Sequence, residues 1–302
     1  MKILVTGHKG DIGRHLVKFL EAKGHEVTGA DMENDLRIFD NALEVTKGID
    51  WVFNLAALNG SIEFTTNNRA ELIHNNVLVN ANMAEACWKN GVKRVLYTSS
   101  ACVYPVNLQD TDAIRPLKES DAYPANPDTE YGWEKLFSEH IWKSYEAQRG
   151  IEVRISRFFN IYGEGMKCDT LRSKVPMAMT RKVINAGDNG DVLIWGQGGQ
   201  QREFCHIDDC IEALWILMNS DCSEPTNIGT DDLLPIDELV DLIADIEGVK
   251  VNKVHQLDKV EGVRVRKCDW SQMKALGWEP KVSLREGLTR LNKYVKSLDD
   301  VQ

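Results

Sequence analysis

The stretch KILVTGHKGDIGRHLVKFLEAKGHEVTGAD, residues 2–31, switches twice between two kinds of hydrophobic pattern. It opens with the apolar run KILVT, which predicts a short buried strand leading to a glycine. IGRHLVKFLEAKG, residues 12–24, carries apolar residues at helical spacing and stops at a glycine, so it predicts an amphipathic helix. HEVTGAD, residues 25–31, predicts a second strand. The order strand, glycine turn, helix, strand is typical of a parallel α/β sheet.

The glycines of the first turn are Gly7, Gly10 and Gly13, in the pattern G-x-x-G-x-x-G. Glycine lets the backbone approach a pyrophosphate, which then rests on the N-terminus of the following helix. A glycine triplet alone is equally compatible with a plain tight turn. Here it lies between a strand and a helix, and Asp31 ends the next strand 18 residues after Gly13, so a dinucleotide site is favoured. Asp31 can accept both ribose hydroxyls and would repel a 2′-phosphate, so we expect NAD, although Arg37 leaves NADP open.

The alternation of strands and helices continues further along the chain. WVFNLAA (51–57) and KRVLYTSS (93–100) predict strands, with a helix around 70–90 between them. The carboxyl ends of such strands converge on a bound cofactor, which places Asn54 to Ala57 and Thr98 to Ser100 beside the dinucleotide. The cofactor-binding residues predicted here are Gly7, Gly10, Asp11, Ile12, Gly13, Asp31, Leu55, Ala56 and Ala57.

YGWEK places Tyr131 and Lys135 four residues apart, in a helical segment that runs to about residue 149. This spacing brings both side chains to one helix face, where an ammonium can lower the pKa of a phenol and hold a nicotinamide ribose. A tyrosinate beside NAD can remove the proton of an alcohol. The same pattern also occurs as one aromatic residue and one lysine on an ordinary amphipathic helix. After a dinucleotide fingerprint and a serine-bearing strand end, it predicts redox catalysis.

Several motifs together resemble the extended short-chain dehydrogenase/reductase family, the NAD enzymes of nucleotide-sugar chemistry. The resemblance implies a Rossmann-type doubly wound parallel sheet with a smaller C-terminal substrate-binding domain. It also implies that Ser100, Tyr131 and Lys135 form a redox triad, with Tyr131 and Lys135 also contacting NAD. The motifs are GHKGDIG, NLAA, SSACVY, YGWEK, RFFNIYG (157–163), GQGGQQREFCHIDD (196–209) and NIGT (227–230).

The resemblance also implies a division of the chain. The NAD-binding Rossmann domain is expected to comprise residues 1–160 together with a later segment at about 203–230. The nucleotide-sugar substrate domain is expected to comprise residues 161–202 and 231–302.

SSACVYP, residues 99–105, puts a thiol on the substrate side of the predicted triad. With FNLAALNGSI, LKESDAYPANP, SKVPMAMTRK and EGVRVR, it is similar to the family's epimerases that invert C3 and C5 of GDP-hexoses. The chemistry explains a thiol there, because oxidation at C4 makes the hydrogens on both flanking carbons acidic. The resemblance implies that Cys102 and Lys174 are the acid–base pair, and thiols near cations exchange protons readily. Cys102 alone is equally compatible with a small buried hydrophobe, and Lys174 with a solvated loop residue.

Substrate anchoring is also taken from the resemblance. The arginines resemble those that hold a diphosphate, for which a planar guanidinium is well suited, but each could be a surface ion-pair partner. LNGSI (58–62) and the loop before Lys174 depart from the epimerase pattern, so the sugar stays open. The predicted substrate-binding residues are Gly60, Ser61, Asn160, Lys174, Arg202, Arg264 and Arg266.

Composition excludes several other classes of function. The net charge of −10 and the absence of a Lys/Arg cluster argue against a nucleic-acid partner, and no long apolar run predicts a membrane segment. Seven cysteines without a C-x-x-C pair predict reduced thiols, no metal site and a cytoplasmic protein. A homodimer is expected because the family commonly pairs the helices at 70–90 and 131–149, which carry Trp88, Ile141 and Trp142.

Two other readings stay open. One is a nucleotide-sugar 4-epimerase or dehydrogenase of the same family, in which Cys102 has no catalytic role. The other is a non-catalytic NAD-binding regulatory protein, against which the presence of Ser100, Tyr131 and Lys135 argues.

Overall fold

The computed structural model describes residues 1–111, 113–166 and 173–298. The strands are β1 Lys2–Thr6, β2 Glu26–Ala30, β3 Trp51–Asn54, β4 Arg94–Ser100, β5 Pro116–Leu117, β6 Glu152–Phe158, β7 Ile161–Tyr162, β8 Gly190–Trp195, β9 Gln201–Arg202, β10 Cys205–His206, β11 Thr226–Ile228, β12 Leu234–Pro235, β13 Val251–Gln256 and β14 Val265–Cys268. The helices are α1 Gly13–Ala22, α2 Phe39–Val45, α3 Ile62–Asn67, α4 Arg69–Lys89, α5 Glu130–Arg149, α6 Val175–Ala186, α7 Ile207–Asn219, α8 Ile236–Glu247, α9 Ser271–Ala275 and α10 Leu284–Lys296.

The central sheet is parallel, with strand order β2-β1-β3-β4-β6-β11. The chain moves outward from β1 to β2 and then returns to place β3 on the other side of β1. The strand order therefore reverses between β1 and β3, and in doubly wound sheets ligands bind at this switch point, outside the carboxyl ends of the strands. The doubly wound parallel sheet predicted from the sequence is confirmed.

Both faces of the sheet are covered by helices, as the continuous apolar pattern of β1 requires. Ile3 and Val5 pack into one buried cluster with Leu16 of α1 and Leu214 of α7. Leu4 points to the opposite face and joins a second cluster below α2, α4 and α5. Alternate side chains of one strand thus fill two cores, because successive residues of a strand face opposite sides.

The C-terminal part of the chain adds smaller sheets beside the central one. β8 and β13 pair in parallel, and α6, α8 and α10 pack against one another. A four-stranded sheet has the order β12-β9-β14-β5, and in it β9 and β14 run side by side. The strand β11 pairs with β6, so this later segment lies at the edge of the central sheet.

Trp142 corrects one expectation about the surface of α5. It was predicted to lie at a dimer contact, but it is fully buried, packs near Tyr97 and donates its indole N–H to Asn80 Oδ1 at 3.1 Å. Trp142 is therefore a core residue. Within the described ranges, no helix has the length and apolar content that a membrane crossing needs.

Candidate active site

The glycine turn after β1 packs too closely for larger residues. Gly7 has φ +66°, and a Cβ on it would lie 3.1 Å from the amide nitrogen of Ala56. A Cβ on Gly13 would overlap the carbonyl oxygen of Gly7 and lie 2.8 Å from the Cα of His8. Helix α1 can therefore begin this close to the turn only because residue 13 is glycine.

The N-terminus of α1 is open to an anion. Ile12 occupies the N-cap position without a side-chain capping hydrogen bond, and the first helical turn contains no acidic residue. The aligned peptide dipoles leave a partial positive charge at such an end. Together with the glycine turn, this end suits the pyrophosphate of a dinucleotide, and Asp11 lies beside it with its carboxylate 3.9 Å from Arg14.

Asp31 lies next to the glycine turn, directly after β2. Its carboxylate accepts backbone N–H groups from Lys9 and from Met32, each at 2.9 Å. The nearby Arg37 is engaged by Asp35, with 2.7 Å between Nη2 and Oδ2. A fixed negative charge at the end of β2 is what selection of an unphosphorylated ribose requires.

Thr6 links the carboxyl ends of β1 and β3. Its hydroxyl donates to Asn54 Oδ1 at 2.8 Å and accepts the backbone N–H groups of Leu55 and Ala56, both at 3.0 Å. Ala57 follows and is exposed. The predicted residues 55–57 therefore lie at the switch point between β1 and β3, beside the glycine turn.

Ser100, Tyr131 and Lys135 come together at the carboxyl end of β4. The Ser100 hydroxyl accepts the backbone N–H of Cys102 at 3.1 Å, and its side chain interacts with the Tyr131 phenol. Lys135 Nζ donates to the carbonyl of Thr98 at 2.9 Å and lies 5.7 Å from the centre of the Tyr131 ring. The helical spacing predicted from YGWEK thus brings both side chains of α5 to the sheet edge.

The electrostatics of Tyr131 differ from the expectation that Lys135 lowers its pKa. Burial raises the pKa of Tyr131, the charges of Cys102 and Glu134 raise it further, and the hydrogen bond from Ser100 opposes them. Burial also lowers the pKa of Lys135, while nearby carboxylates including Glu134 raise it. Without a bound cofactor, desolvation is therefore the largest of the effects that disfavour the phenolate of Tyr131.

Cys102 lies half-buried in the 3-10 turn Ala101–Val103 that follows β4. Arg266 Nη1 donates a hydrogen bond to its sulfur at 3.3 Å. The same sulfur interacts electrostatically with Lys174 and Arg202. The sulfur of Cys102 therefore lies among three cationic side chains that come from three different elements.

Lys174 lies at the N-cap of α6, on a different element from Cys102. Its Nζ donates to the carbonyl of Gly60 at 3.2 Å. Burial lowers the pKa of Lys174, while the charges of Cys102 and then Asp11 raise it. The ammonium therefore interacts both with the thiol and with the glycine turn, as an acid–base partner of Cys102 would.

The three predicted arginines have different positions. Arg202 of β9 and Arg266 of β14 are direct register partners on adjacent parallel strands. Burial lowers the pKa of Arg202, and the like charge of Arg266 lowers it further. Arg266 is buried, whereas Arg264 is exposed. Two adjacent guanidinium groups repel each other and so favour a bound anion between them.

The remaining predicted substrate residues have contacts within the protein. Asn160 has φ +46°, and its amide donates to the carbonyl of Glu203 at 3.0 Å. The Ser61 hydroxyl caps α3 by accepting the backbone N–H of Phe64 at 3.2 Å. The carbonyl of Gly60 accepts a hydrogen bond from Lys174 Nζ. The loop 58–62 is thereby tied to the N-terminus of α6.

Two residues near Cys102 were missed in the sequence. Gln109 is fully buried, and its Oε1 accepts the Nε–H of Arg266 at 2.6 Å. Asp128 Oδ2 lies 3.9 Å from Arg266 Nη2. Both lie in the polar loop 107–130, whose sequence shows no feature that distinguishes them from solvated residues.

A buried polar network between α4 and α5 was also missed. Asn76 donates to Glu134 Oε2 at 3.0 Å, and Asn80 accepts from Asn54 at 2.9 Å. Asn76 and Asn80 are four residues apart and so share a helix face. Asparagines four residues apart on one helix face, in the segment NNVLVNAN (75–82), are the signal that could have identified them.

The described cysteines are all free. Among the residues that the structure describes, no group of three histidine, cysteine or acidic side chains could hold a metal ion. Cys168, predicted as a reduced thiol, lies outside the described residues.

A doubly wound sheet with a serine, tyrosine and lysine at its carboxyl edge defines a short-chain dehydrogenase/reductase. Residues 3–229 match the NAD dependent epimerase/dehydratase family. The chain is 40% identical to GDP-mannose 3,5-epimerase of Arabidopsis thaliana, over 98% of this chain and 82% of that protein. It is 28% identical to GDP-L-fucose synthase 1 of the same plant, over 98% of this chain and 94% of that protein.

Solved structures give the same result for the fold. The crystal structure of UDP-glucose 4-epimerase with UDP-glucose from Thermotoga maritima superposes with a TM-score of 0.89, at 25% identity over 98% of this chain and 99% of that one. UDP-glucose 4-epimerase of Thermus thermophilus in complex with NAD has a TM-score of 0.86 at 21% identity, covering 99% and 100% of the two chains. The chain belongs to the NAD dependent epimerase/dehydratase family of enzymes.

Proposed function

We propose that this enzyme is a 3,5-epimerase of GDP-mannose or a related GDP-hexose, with NAD as its cofactor. The observation that carries the proposal is Cys102, which lies beside the Ser100–Tyr131–Lys135 triad and interacts with Lys174 on another element. The identity to GDP-mannose 3,5-epimerase supports the choice of sugar nucleotide.

The cofactor site is proposed to be built by the glycine turn, the N-terminus of α1 and Asp31. When bound, NAD supplies reversible oxidation of the C4 hydroxyl of the hexose. The fixed carboxylate of Asp31 favours NAD over NADP, because a 2′-phosphate would meet a like charge. The phenolate of Tyr131, which the ammonium of Lys135 and the positive charge of bound NAD would favour, takes the proton of the C4 hydroxyl and later returns it, and Ser100 orients its oxygen.

The epimerisation itself is proposed to be acid–base chemistry at the carbons beside the transient C4 ketone. The thiolate of Cys102 removes a proton from C3 or C5, and the electrons of the C–H bond pass into the enolate. The ammonium of Lys174 then delivers a proton to the opposite face. The two groups come from different elements, the turn after β4 and the N-cap of α6, so they can approach one sugar ring from two sides.

Arg202 is proposed to bind the diphosphate. It adjoins a second cation, Arg266, and its Nη2 lies close to Gly262, which Ile62 of α3 also approaches. Gly60, Ser61 and Asn160 are proposed to complete the sugar site, with Arg264 at its exposed rim.

The test is product analysis of the purified protein with NAD and GDP-mannose in D₂O, followed by NMR. A 3,5-epimerase gives products inverted at C3, C5 or both, with deuterium at the inverted carbons and the original hydrogen at C4. Inversion at C4 alone without deuterium would identify a 4-epimerase, and stoichiometric consumption of NAD would identify a dehydrogenase. A panel with UDP- and dTDP-hexoses serves as the control for the nucleotide.

A binding protein that only senses NAD is the alternative from another class. It predicts neither turnover nor transient NADH absorbance with any sugar nucleotide of the panel. The convergence of Ser100, Tyr131 and Lys135 at the sheet edge argues for catalysis.

We also propose that the enzyme is a homodimer that pairs α4 and α5 with their copies. Trp142 is buried and cannot form this contact. The exposed apolar residues on the two helices are Ile73 (37% exposed), Trp133 (47%) and Phe137 (53%). Light scattering should give twice the chain mass for the natural protein and the chain mass for Phe137→Glu. A natural protein of single-chain mass would contradict the proposal.

We further propose that residues 1–160 with about 203–230 form the NAD-binding domain, and residues 161–202 with 231–302 the substrate domain. The pairing of β11 with β6 supports the return of the later segment. Limited proteolysis with and without NAD tests these boundaries, since NAD should protect only the first set of segments.

A further inference from the structure

The side chain of His8 packs against the backbone of β2, close to Asp31. His8 follows Gly7 in the glycine turn, and Gly29 is the fourth residue of β2. A Cβ on Gly29 would overlap Cγ and Cδ2 of the His8 ring. The imidazole therefore lies in space that exists only because residue 29 has no side chain.

One nitrogen of this ring has no partner within the protein. Nδ1 of His8 is buried and makes no hydrogen bond to any described residue. It lies 4.0 Å from Asp31 Oδ2, which is beyond hydrogen-bond distance. A buried polar atom without a partner costs free energy, so nearly all such atoms in proteins are hydrogen bonded to something. The position of this one, beside the carboxylate proposed to hold the adenosine ribose, points to the ribose as its partner.

The cationic side chains near this carboxylate have partners of their own. Lys9 Nζ lies 2.5 Å from Glu33 Oε1. Arg37 pairs with Asp35. Among the described residues around the end of β2, the imidazole of His8 is therefore the side chain that still has a polar atom to give to a ligand.

We propose that His8 is a further cofactor-binding residue, which shares one hydroxyl of the adenosine ribose of NAD with Asp31. The inference rests on the proposed function, since it takes NAD as the cofactor. At a separation of 4.0 Å, a single hydroxyl oxygen can lie within hydrogen-bond distance of both Nδ1 and Oδ2.

The direction of the two hydrogen bonds follows from the chemistry of the groups. A carboxylate only accepts, so the shared hydroxyl donates to Asp31 and must accept from His8. The ring hydrogen that makes this bond is therefore on Nδ1. A phosphate oxygen could accept from the imidazole but has no hydrogen to give to the carboxylate. The pair thus recognises a free hydroxyl and discriminates against a phosphate ester in the same place.

The test is calorimetric titration of the full-length protein with NAD, after charcoal treatment to remove copurified nucleotide. His8→Phe keeps a ring against Gly29 but has no donor, so it should weaken NAD binding by about threefold to tenfold, the usual contribution of one hydrogen bond. His8→Asn places an amide N–H close to the position of Nδ1 and should restore most of the affinity. His25→Phe is the matched control, because His25 directly precedes β2 and its ring contacts Trp215. It should leave the affinity for NAD within about twofold of the natural value.

NAD analogues separate recognition of the ribose from support of the turn. One analogue lacks the 2′-hydroxyl of the adenosine ribose and the other lacks the 3′-hydroxyl. The natural protein and His8→Phe should bind one of the two analogues equally, which identifies the shared hydroxyl, while the loss in His8→Phe persists with the other. Equal binding of NAD by the natural protein and His8→Phe would overturn the proposal. The same loss with NAD and with both analogues would also overturn it, because the ring would then act on the fold of the turn.

Gly29→Ala tests the same contact from the side of the strand. The added Cβ would displace the ring of His8 from its place beside Asp31. The affinity for NAD should therefore fall about as much as in His8→Phe, with the same dependence on the two analogues. If His8→Phe does not fold, this variant carries the comparison.

The outcome is separable from that of the proposed function. Titration needs no sugar nucleotide, so it reports on the ribose contact whichever substrate the enzyme uses. The expected pattern without 3,5-epimerisation would leave His8 in the cofactor site and refute the reaction. Normal epimerisation with unchanged NAD binding in His8→Phe would refute only the role of His8, and a natural protein that binds no NAD would refute both.

Discussion

Cys102 and Tyr131 lie in one site but have opposite electrostatic surroundings. The Cys102 sulfur accepts a hydrogen bond from the cationic Arg266. Tyr131 is desolvated, and the charges of Cys102 and Glu134 disfavour its anion. The redox residue and the proton-exchange residue can therefore be separated by mutation.

Cys102→Ser should slow the entry of deuterium at C3 and C5 by about 10² to 10⁴-fold, the usual contribution of a general acid–base group. Serine is a far weaker acid than cysteine, so its hydroxyl supplies little anion at neutral pH. Transient NADH absorbance should persist, because Ser100, Tyr131 and Lys135 are unchanged. Tyr131→Phe is the matched contrast and should lose NADH formation as well as deuterium exchange. Deuterium entry at the natural rate in Cys102→Ser would leave this cysteine as a packing residue.

Asp31 should set the choice of cofactor. Calorimetric titration should show NAD binding at least about tenfold more tightly than NADP, since like charges in contact cost several kcal/mol. Asp31→Asn removes the charge. It should reduce the difference in affinity between NAD and NADP, mainly because NADP binds more tightly. Asp40→Asn is the control, because it alters an exposed carboxylate in the first turn of α2 and leaves both Asp31 and the Asp35–Arg37 pair unchanged. Equal affinities in the natural enzyme would remove Asp31 from the site.

The residues of the site that could be predicted share a local pattern. Tyr131 and Lys135 are one helical turn apart, and Ser100 ends a strand whose apolar run is readable in the sequence. Gln109 could not be predicted, because its partner Arg266 is 157 residues away and only the fold brings them together. The contact between Arg266 and Cys102 could not be predicted for the same reason.

At the scale of elements, the turn from β1 into α1 is fixed by close backbone contact. Alanine favours a helix interior over glycine by about 1 kcal/mol, so propensity alone predicts that Gly13→Ala is stabilising. The structure predicts the reverse, since a Cβ there would overlap the Gly7 carbonyl. We expect a loss of about 1 to 3 kcal/mol in the free energy of unfolding, as for overpacked sites, together with weaker NAD binding.

Urea unfolding and NAD titration measure these two effects. Gly199→Ala is the matched control, because a Cβ at residue 199 meets no atom within 4 Å and its backbone is not left-handed. It should change neither quantity appreciably. A Gly13→Ala variant as stable as the natural protein would show that the turn can relax, and the argument from packing would fail.

Elements differ in how well the sequence predicts them. β1, α1 and β2 were predicted close to their bounds, because their hydrophobic periods extend over five to ten residues. β9 has only two residues, Gln201–Arg202, and β14 has four, Val265–Cys268. Such strands are too short to show a period, so their pairing depends on tertiary contacts.

At the scale of the whole molecule, Glu203 connects the central sheet to the smaller one. It follows β9, and its carboxylate accepts the backbone N–H of Cys268 in β14 at 3.0 Å. A Cβ on Gly229, just after β11, would meet this carboxyl at 2.5 Å. The doubly wound sheet could be predicted from alternating patterns, but this junction could not, because it joins segments that are distant in sequence.

Glu203 should make the stability of the folded enzyme fall as the pH rises. Burial raises the pKa of Glu203 from 4.5 to about 8, and Asp231 adds to this, while hydrogen bonds from Cys268 and Thr230 and the charge of Lys267 oppose it. The folded state therefore holds a proton that the unfolded state releases at lower pH. The stabilising contribution is complete below about pH 4.5 and is lost as the pH rises to about 8.

Glu203→Gln keeps the shape and the acceptor of this side chain but cannot ionise, so it should lose this pH dependence. We expect urea unfolding between pH 4.5 and about 8 to show that the free energy of unfolding of the variant increases relative to that of the natural protein. The difference should grow by about 1.4 kcal/mol for each pH unit in this interval. Above that interval, the difference in the free energy of unfolding between the two proteins should stay constant. Glu286→Gln, an exposed change on α10, is the control and should run parallel to the natural protein. If the Glu203→Gln curve also runs parallel, the carboxyl is ionised in the fold and the junction is held by Lys267 instead.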